Sequence, residues 1–253
     1  MPDEISKQLM LAIKEVKEDP TQYLDHIVKD LNNLAKKAPG RVLPIGISGL
    51  AGSGKDSAIT LIMKLWNVSI SAIGPDNFMN SDVHDILGQH LSIYTCHFAD
   101  PLKEIAEVMG FTYDQVHDQS LKSVKDEFWQ ITPREFLQMC GTEMFRKVWR
   151  DDVWVQLARK RIKVLRESIA GNESIHDIVF IPDVRFPNEA DMIKKEGGLM
   201  IRISRAGIQE MNHASENHVK DLSVDIEMIN DSSTPEEWSI KFTDSLCDYA
   251  NRL

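Results

Sequence analysis

Apolar positions along this chain follow two rhythms. Ile5, Leu9, Ile13 and Val16 recur at helical spacing within residues 3–18. Asp19-Pro20 then restarts a helix, with Asp19 as N-cap and Pro20 at the first helical position. That helix places Leu24, Ile27, Val28, Leu31 and Leu34 on one face and stops before Ala38-Pro39-Gly40. Residues 1–40 are therefore expected to be an N-terminal helical extension, a hairpin added to a main domain over residues 41–253. The main domain opens on Val42–Ser48, a continuous apolar run that reads as a buried strand. Further strands are expected at Leu91–Phe98, Asp177–Pro182, Leu199–Ser204 and Val224–Asn230, with helices at 57–66, 101–109 and 187–196. Strands alternating with helices predict an α/β fold: a five-stranded, mostly parallel sheet with helices on both faces.

Two more helices announce themselves by their starts. Thr132-Pro133-Arg134-Glu135 and Thr234-Pro235-Glu236-Glu237 each offer a capping threonine, a proline at the first position and a closing glutamate. In the first, Leu137, Cys140, Met144 and Val148 form an apolar stripe, and Arg134, Gln138, Thr142 and Arg146 form a polar one, each step four residues on. Such a helix packs one face on the sheet and offers two arginines with the other. The stretch 67–90 carries mixed signals and could cover a substrate. The polar stretch 110–131 is long for a connection and is a candidate lid.

Composition narrows the function. The 253 residues are 42% hydrophobic and 27% charged, ordinary for a soluble protein. A net charge of -10 argues against a protein that coats nucleic acid, though not against a small anion held by a few converging cations. Cys96, Cys140 and Cys247 are far apart and lack metal-type spacing, as suits a reducing compartment. No apolar run is long enough for a bilayer, and the N-terminus has no signal-peptide pattern, so a cytoplasmic location is expected.

The chemistry concentrates after the first strand. Gly49-Leu-Ala-Gly-Ser-Gly-Lys-Asp-Ser57 lies between a buried strand and a helix, the context of a phosphate-binding loop. Gly49, Gly52, Ser53 and Gly54 are small enough for backbone N–H groups to approach the phosphates of ATP, and Lys55 is positioned for the β- and γ-phosphates. The residue after the lysine is ordinarily Ser or Thr; here it is Asp56, followed by Ser57. A carboxylate beside a triphosphate needs a cation between them, so Asp56 is assigned to Mg²⁺ and Ser57 to the phosphate or metal shell.

The loop and five later segments occur in a fixed order: Phe98-Ala-Asp-Pro-Leu-Lys103, Thr132-Pro-Arg-Glu135, Gly141-Thr-Glu143, Asp183-Val-Arg-Phe-Pro-Asn-Glu189 and His213-Ala-Ser-Glu216. Together they resemble the deoxynucleoside monophosphate kinases of bacteriophages over roughly residues 42–250. The resemblance implies a P-loop fold, transfer of the γ-phosphoryl group of ATP to a deoxynucleoside monophosphate (dNMP), and a homodimer. Phosphomevalonate kinases of the animal type share the Gly-Lys-Asp loop and an Asp-x-Arg element, so a small-molecule phosphate acceptor is one alternative. A non-catalytic nucleotide switch is the other.

A phosphate acceptor is already a nucleophile at neutral pH, so the site needs cations and positioning rather than a general base. Arg134 and Arg146 are candidates for the acceptor side. Asp183 ends the third strand, where open α/β sheets bind ligands, and is a candidate for metal or a nucleotide hydroxyl. Arg185 is the candidate transition-state arginine or acceptor clamp, with Glu189 as a residue that could orient it. Arg205 matches a family arginine on the donor side, and Trp154 is a candidate to stack on the acceptor base. The turn Asn230-Asp231-Ser232 follows the last strand, where this fold receives adenine.

Overall fold

The computed structural model describes residue 11 and residues 13–15, 17–65, 91–208 and 218–253. Ile5, Leu9 and Val16, the stretch 67–90, and His213, Ser215 and Glu216 lie outside the described residues. The sheet is built from β1 (Val42–Ser48), β2 (Leu91–Thr95), β3 (His176–Val184), β4 (Leu199–Ser204) and β5 (Ile226–Ile229). All pairings are parallel, in the order β2-β3-β1-β4-β5. From β1 the chain moves outward to β2, returns to β3, then crosses to β4 on the other side. The carboxyl end of β1 is therefore a topological switch point, the place where such sheets open a ligand crevice.

Side chains of β1 alternate between two cores. Leu43, Ile45 and Ile47 join the core on one face, with Phe180 of β3 and Ile203 of β4. Helix α1 (Pro20–Lys36) lies in that core through Ile27, Leu31 and Leu34, beside α2 (Lys55–Ala58), α3 (Thr60–Leu65) and the last helix, α9 (Pro235–Ala250). Val42 points to the opposite core, with Val179 and Ile181 of β3. There lie α4 (Asp100–Val108), α7 (Val153–Ser168) and α8 (Pro187–Lys195). Gly46 permits this packing: a Cβ on it would meet Ile193 Cδ1 at 2.4 Å and Met200 Sδ at 2.5 Å. Sequence bounds and observed bounds agree closely for β1 and β4, whereas β2 ends at Thr95 and frees residues 96–99 to turn over the sheet edge.

The stretch 110–131 is folded. It holds α5 (Tyr113–His117), opened by a capping box in which Thr112 accepts from Gln115 N at 3.2 Å and Gln115 accepts from Thr112 N at 2.7 Å. A 3₁₀ turn follows at Leu121–Ser123. Next come α6 (Pro133–Gln138) and a π-helix at Met139–Trp149. Thr132 and Glu135 form the expected box, at 3.1 Å and 2.8 Å.

Asp177 sits near the start of β3, paired with Val42 at the sheet edge opposite the crevice. It is 1% exposed, and neither carboxyl oxygen has a hydrogen-bond partner among the described residues. Burial pushes its pKa up to about 7. The fold thus prefers the protonated acid. Its contribution is most favourable below about pH 4 and is lost as pH rises through the folded pKa. Asp177→Asn should therefore stabilise the protein at pH 8, by on the order of 2–4 kcal/mol, with little effect at pH 4. Thermal melts of both proteins at the two pH values check this; equal shifts at both would contradict it.

Candidate functional site

The phosphate loop leaves β1 and enters α2. Gly54 caps α2 in the left-handed region at φ 92°, and a Cβ there would lie 2.4 Å from Asn230 Nδ2. Only glycine meets both demands. Two side chains from distant elements clamp the loop by its carbonyls. Asn230, just past β5, donates to Ser53 O at 3.0 Å, and Trp238 Nε1 of α9 donates to Gly54 O at 2.8 Å. These bonds turn the carbonyls away and leave the opposite side of the loop, with its N–H groups, for an anion. The Ser53 hydroxyl is buried without a hydrogen-bond partner among the described residues, an orphan that a phosphate oxygen would satisfy. Lys55 Nζ donates to the carbonyls of Gly49 and Leu50, both at 2.8 Å, which arches its ammonium over the loop. Arg205 is exposed, and with Gly54, Ser57, Asn230, Thr234 and Trp238 it lines an open pocket beside the loop.

Cations gather across from the loop. Arg134 from α6, Arg185 from the turn after β3 and Lys103 from α4 each lie within electrostatic range of Lys122 on the 3₁₀ turn, and so does Asp56 of α2. Arg134 Nη2 also donates to Gln119 Oε1 at 3.5 Å. Lys103 lies 3.6 Å from Asp100. Sequence reading placed Arg134, Arg185, Asp56 and Lys55 in one site; in the fold Arg134, Arg185 and Asp56 share Lys122 as an electrostatic neighbour, and Lys55 precedes Asp56 at the start of α2. It passed over Lys103, although that residue ends a quoted motif, and it passed over Lys122, which no local pattern marks.

The sequence profile of the deoxynucleotide monophosphate kinase family matches residues 75–239, more than half of the chain. The chain belongs to this family. It is 35% identical over 152 residues to a protein of Acanthamoeba polyphaga mimivirus that carries a deoxynucleotide monophosphate kinase name, covering 56% of this chain and 77% of that one. It is also 35% identical over 69 residues to the deoxynucleoside-5'-monophosphate kinase of Escherichia phage T5, covering 27% of this chain and 24% of that one. Membership makes the chain a phosphotransferase, a deoxynucleoside monophosphate kinase, and the sheet carries the resemblance expected from the motifs.

Within this kinase, the geometry gives structural partners to two assigned residues and corrects a third. Arg146 is one of the first two. Its guanidinium pairs with Glu189 at 2.6 Å and lies 4.1 Å from the ring centroid of Phe186. From Met139 the chain winds as a π-helix, and on it Arg146 meets Glu189 of α8 and Phe186 just before that helix. Trp154 is not a stacking platform. It is 4% exposed, too little to offer a ring face to a base, and its Nε1 donates to Gly141 O at 3.1 Å. Asp183 is engaged by the backbone. Its two carboxyl oxygens accept from Phe98 N and Ala99 N, each at 3.0 Å, and so hold the loop after β2.

Glu189 is the residue that shapes the arginine turn. It is buried, and it accepts from Arg185 N at 2.8 Å, from Phe186 N at 3.1 Å and from Arg146. Burial raises its pKa and Arg146 opposes the rise. Glu189→Gln leaves the Arg146 charge buried without its counter-charge, which should cost about 3–5 kcal/mol. Urea unfolding checks this, and a loss below about 1 kcal/mol would contradict the pairing.

Next to it, Asp100 and His97 form a second buried pair. His97 Nδ1 lies 3.3 Å from Asp100 Oδ1, and Asp100 accepts from His97 N at 2.8 Å. Burial opposes charge on both, but the bond from Asp100 wins and raises the His97 pKa, while Asp100 is lowered. This pair stiffens the turn that carries Lys103 toward the crevice.

No cluster of three metal-ligating side chains exists among the described residues. That fits magnesium, which uses one or two protein oxygens and takes the rest from phosphates and water. Asp56, exposed in the first turn after the loop, and the Ser57 hydroxyl are oxygen donors of the right kind at the right place.

Proposed function

We propose that this kinase transfers the γ-phosphoryl group of ATP to a deoxynucleoside monophosphate, with the donor on the Gly49–Ser57 side and the acceptor on the Arg134–Arg185 side. The observation that carries the reading is the convergence of cations from four separate elements opposite a phosphate loop. Four positive groups in one crevice repel one another unless an anion joins them, and two facing phosphate chains are such an anion. The names of the mimivirus and T5 relatives supply the acceptor class.

In this mechanism the acceptor phosphate is the nucleophile. Its second pKa is near 6, so it is dianionic at neutral pH and no protein base is needed. Arg134 and Arg185 hold it by its oxygens and set it in line with the γ-phosphorus. The small residues of the loop cradle the donor with backbone N–H groups, while Lys55 neutralises charge between the β- and γ-phosphates. Asp56 and Ser57 would hold a magnesium ion, which supplies charge neutralisation on the donor phosphates. Asn230, Thr234 and Arg205 border the open pocket on the donor side, in the place where the adenosine would lie.

Phosphorus NMR of the protein with ATP, Mg²⁺ and each dNMP tests the reading. The expected result is loss of the monophosphate signal with growth of a diphosphate pair. Release of free phosphate with the monophosphate unchanged would remove the acceptor assignment.

A further inference from the structure

Lys122 belongs to none of the motifs that marked the site, yet the fold carries it there. It lies on the 3₁₀ turn Leu121–Ser123, inside the polar stretch that sequence alone left as a loop. The turn is fixed from both sides. Asp118 Oδ1 accepts from Ser120 N at 2.7 Å and from Ser120 Oγ, and Lys122 N donates to Asp118 O at 3.1 Å. Gln119, on the same turn, accepts from Arg134. The backbone at Lys122 is thus tied to the helix that presents an acceptor-side arginine.

The surroundings of its ammonium group are unusual for a surface lysine. Lys122 is half-buried. Lys103 of α4, Arg134 of α6 and Arg185 after β3 face it with positive charge, and Asp56 of α2 faces it with negative charge. His117 and Asp118 flank it from the end of α5. No carboxylate lies within ion-pair distance of Lys122 among the described residues. A solvated lysine would swing away from three cations. This one stands on a turn fixed by hydrogen bonds beside the helix that carries Arg134.

We infer that Lys122 is a catalytic residue of the transfer site, contacting the phosphates from the 110–131 segment and holding the charge of the phosphoryl group in flight. The inference rests on the phosphoryl-transfer reading above and adds a residue to it. In the step, an oxygen of the acceptor phosphate forms a bond to the γ-phosphorus. The bond from that phosphorus to the β–γ bridging oxygen breaks, and its electron pair leaves with ADP. No proton moves at Lys122; its ammonium donates hydrogen bonds to phosphoryl oxygens throughout. Because Lys122 stands within range of both the acceptor arginines and the phosphate-loop carboxylate, its charge counts most when the phosphoryl group is between them.

Burial, then the neighbouring cations Lys103, Arg134 and Arg185, lower its pKa to about 8, against the opposing pull of Asp56. In the free enzyme the charge is therefore lost as pH rises past that value. The rate constant kcat/KM should fall above about pH 8.

The test compares wild type, Lys122→Gln and Lys122→Arg by turnover on a dNMP with ATP and Mg²⁺, across pH and with thermal melts. Lys122→Gln should lower kcat/KM about 10²-fold. It should melt no lower than wild type, because a repelling charge has been removed. Lys122→Arg keeps a cation that does not titrate below about pH 12. It should retain activity within about tenfold of wild type and lose the alkaline fall near pH 8. Lys122→Gln with kcat/KM within about threefold of wild type and the alkaline limb intact would overturn the inference. A wild type that transfers nothing would refute the function reading instead. Lys122 is then read by binding of a dinucleoside pentaphosphate, which spans donor and acceptor positions: weaker binding by Lys122→Gln supports the role, and equal binding overturns it.

Discussion

Lys55→Ala should lower kcat by about 10³-fold or more while the protein still melts cooperatively near the wild-type temperature. The activity loss follows from charge. Lys55 is the cation that arches over the loop, with its ammonium on the carbonyls of Gly49 and Leu50. No other described side chain takes that position. The survival of the fold follows from the clamps. Asn230 holds Ser53 O and Trp238 holds Gly54 O, from elements that Lys55 does not touch. Near-wild-type turnover in a folded Lys55→Ala would mean that Gly49–Ser57 does not bind the donor. Loss of the fold would mean that the lysine, not the clamps, holds the loop.

Arg185→Ala should lower kcat/KM for the dNMP by about 10²–10³-fold, chiefly through kcat. Its backbone is set by Glu189, at 2.8 Å, in the turn that follows β3 at the crevice. Its side chain is half-exposed and lies within range of Lys122. An arginine at that place would engage phosphate from the turn after β3. Arg185→Lys should recover only part of the loss, because one ammonium does not reproduce a two-toothed guanidinium. Arg134→Ala should act more on KM, since Arg134, bonded to Gln119, is proposed to hold the acceptor phosphate. Steady-state kinetics of the two single variants and the double variant check this. Losses that add fully, as for independent sites, would contradict a shared phosphate.

What the sequence made legible was local. β1 is seven buried residues in a row and needs no partner to be recognised as a strand. The capping boxes at Thr132 and Thr234 close within three residues, and both are present. The loop from Gly49 to Ser57 is likewise a contiguous pattern, and so is the Asp183–Glu189 run.

What escaped depends on separation or on a change of helical rhythm. Asp183 is occupied by amides 84 and 85 residues away, so nothing near it in sequence reveals its partners. Arg146 pairs with Glu189, 43 residues away, so its own helix does not announce its partner. Trp154 looked like a free aromatic because its burial comes from Phe145 and Gly141, on an element whose path the periodicity mispredicted. Lys122 is one lysine in a polar stretch, and only the packing of four elements gives it meaning. The helix Pro20–Lys36 was read as an addition to the domain, and it shares a core with β1, β3 and α9.

The most direct measurement is a coupled ADP-release assay with ATP and Mg²⁺. It offers dAMP, dGMP, dCMP, dTMP, the ribonucleotides and phosphomevalonate in parallel, with an acceptor-free control. The account predicts ADP release on one or more dNMPs, well above the control, and none on phosphomevalonate. Release on phosphomevalonate alone, or release equal to the acceptor-free control with every dNMP, would contradict it.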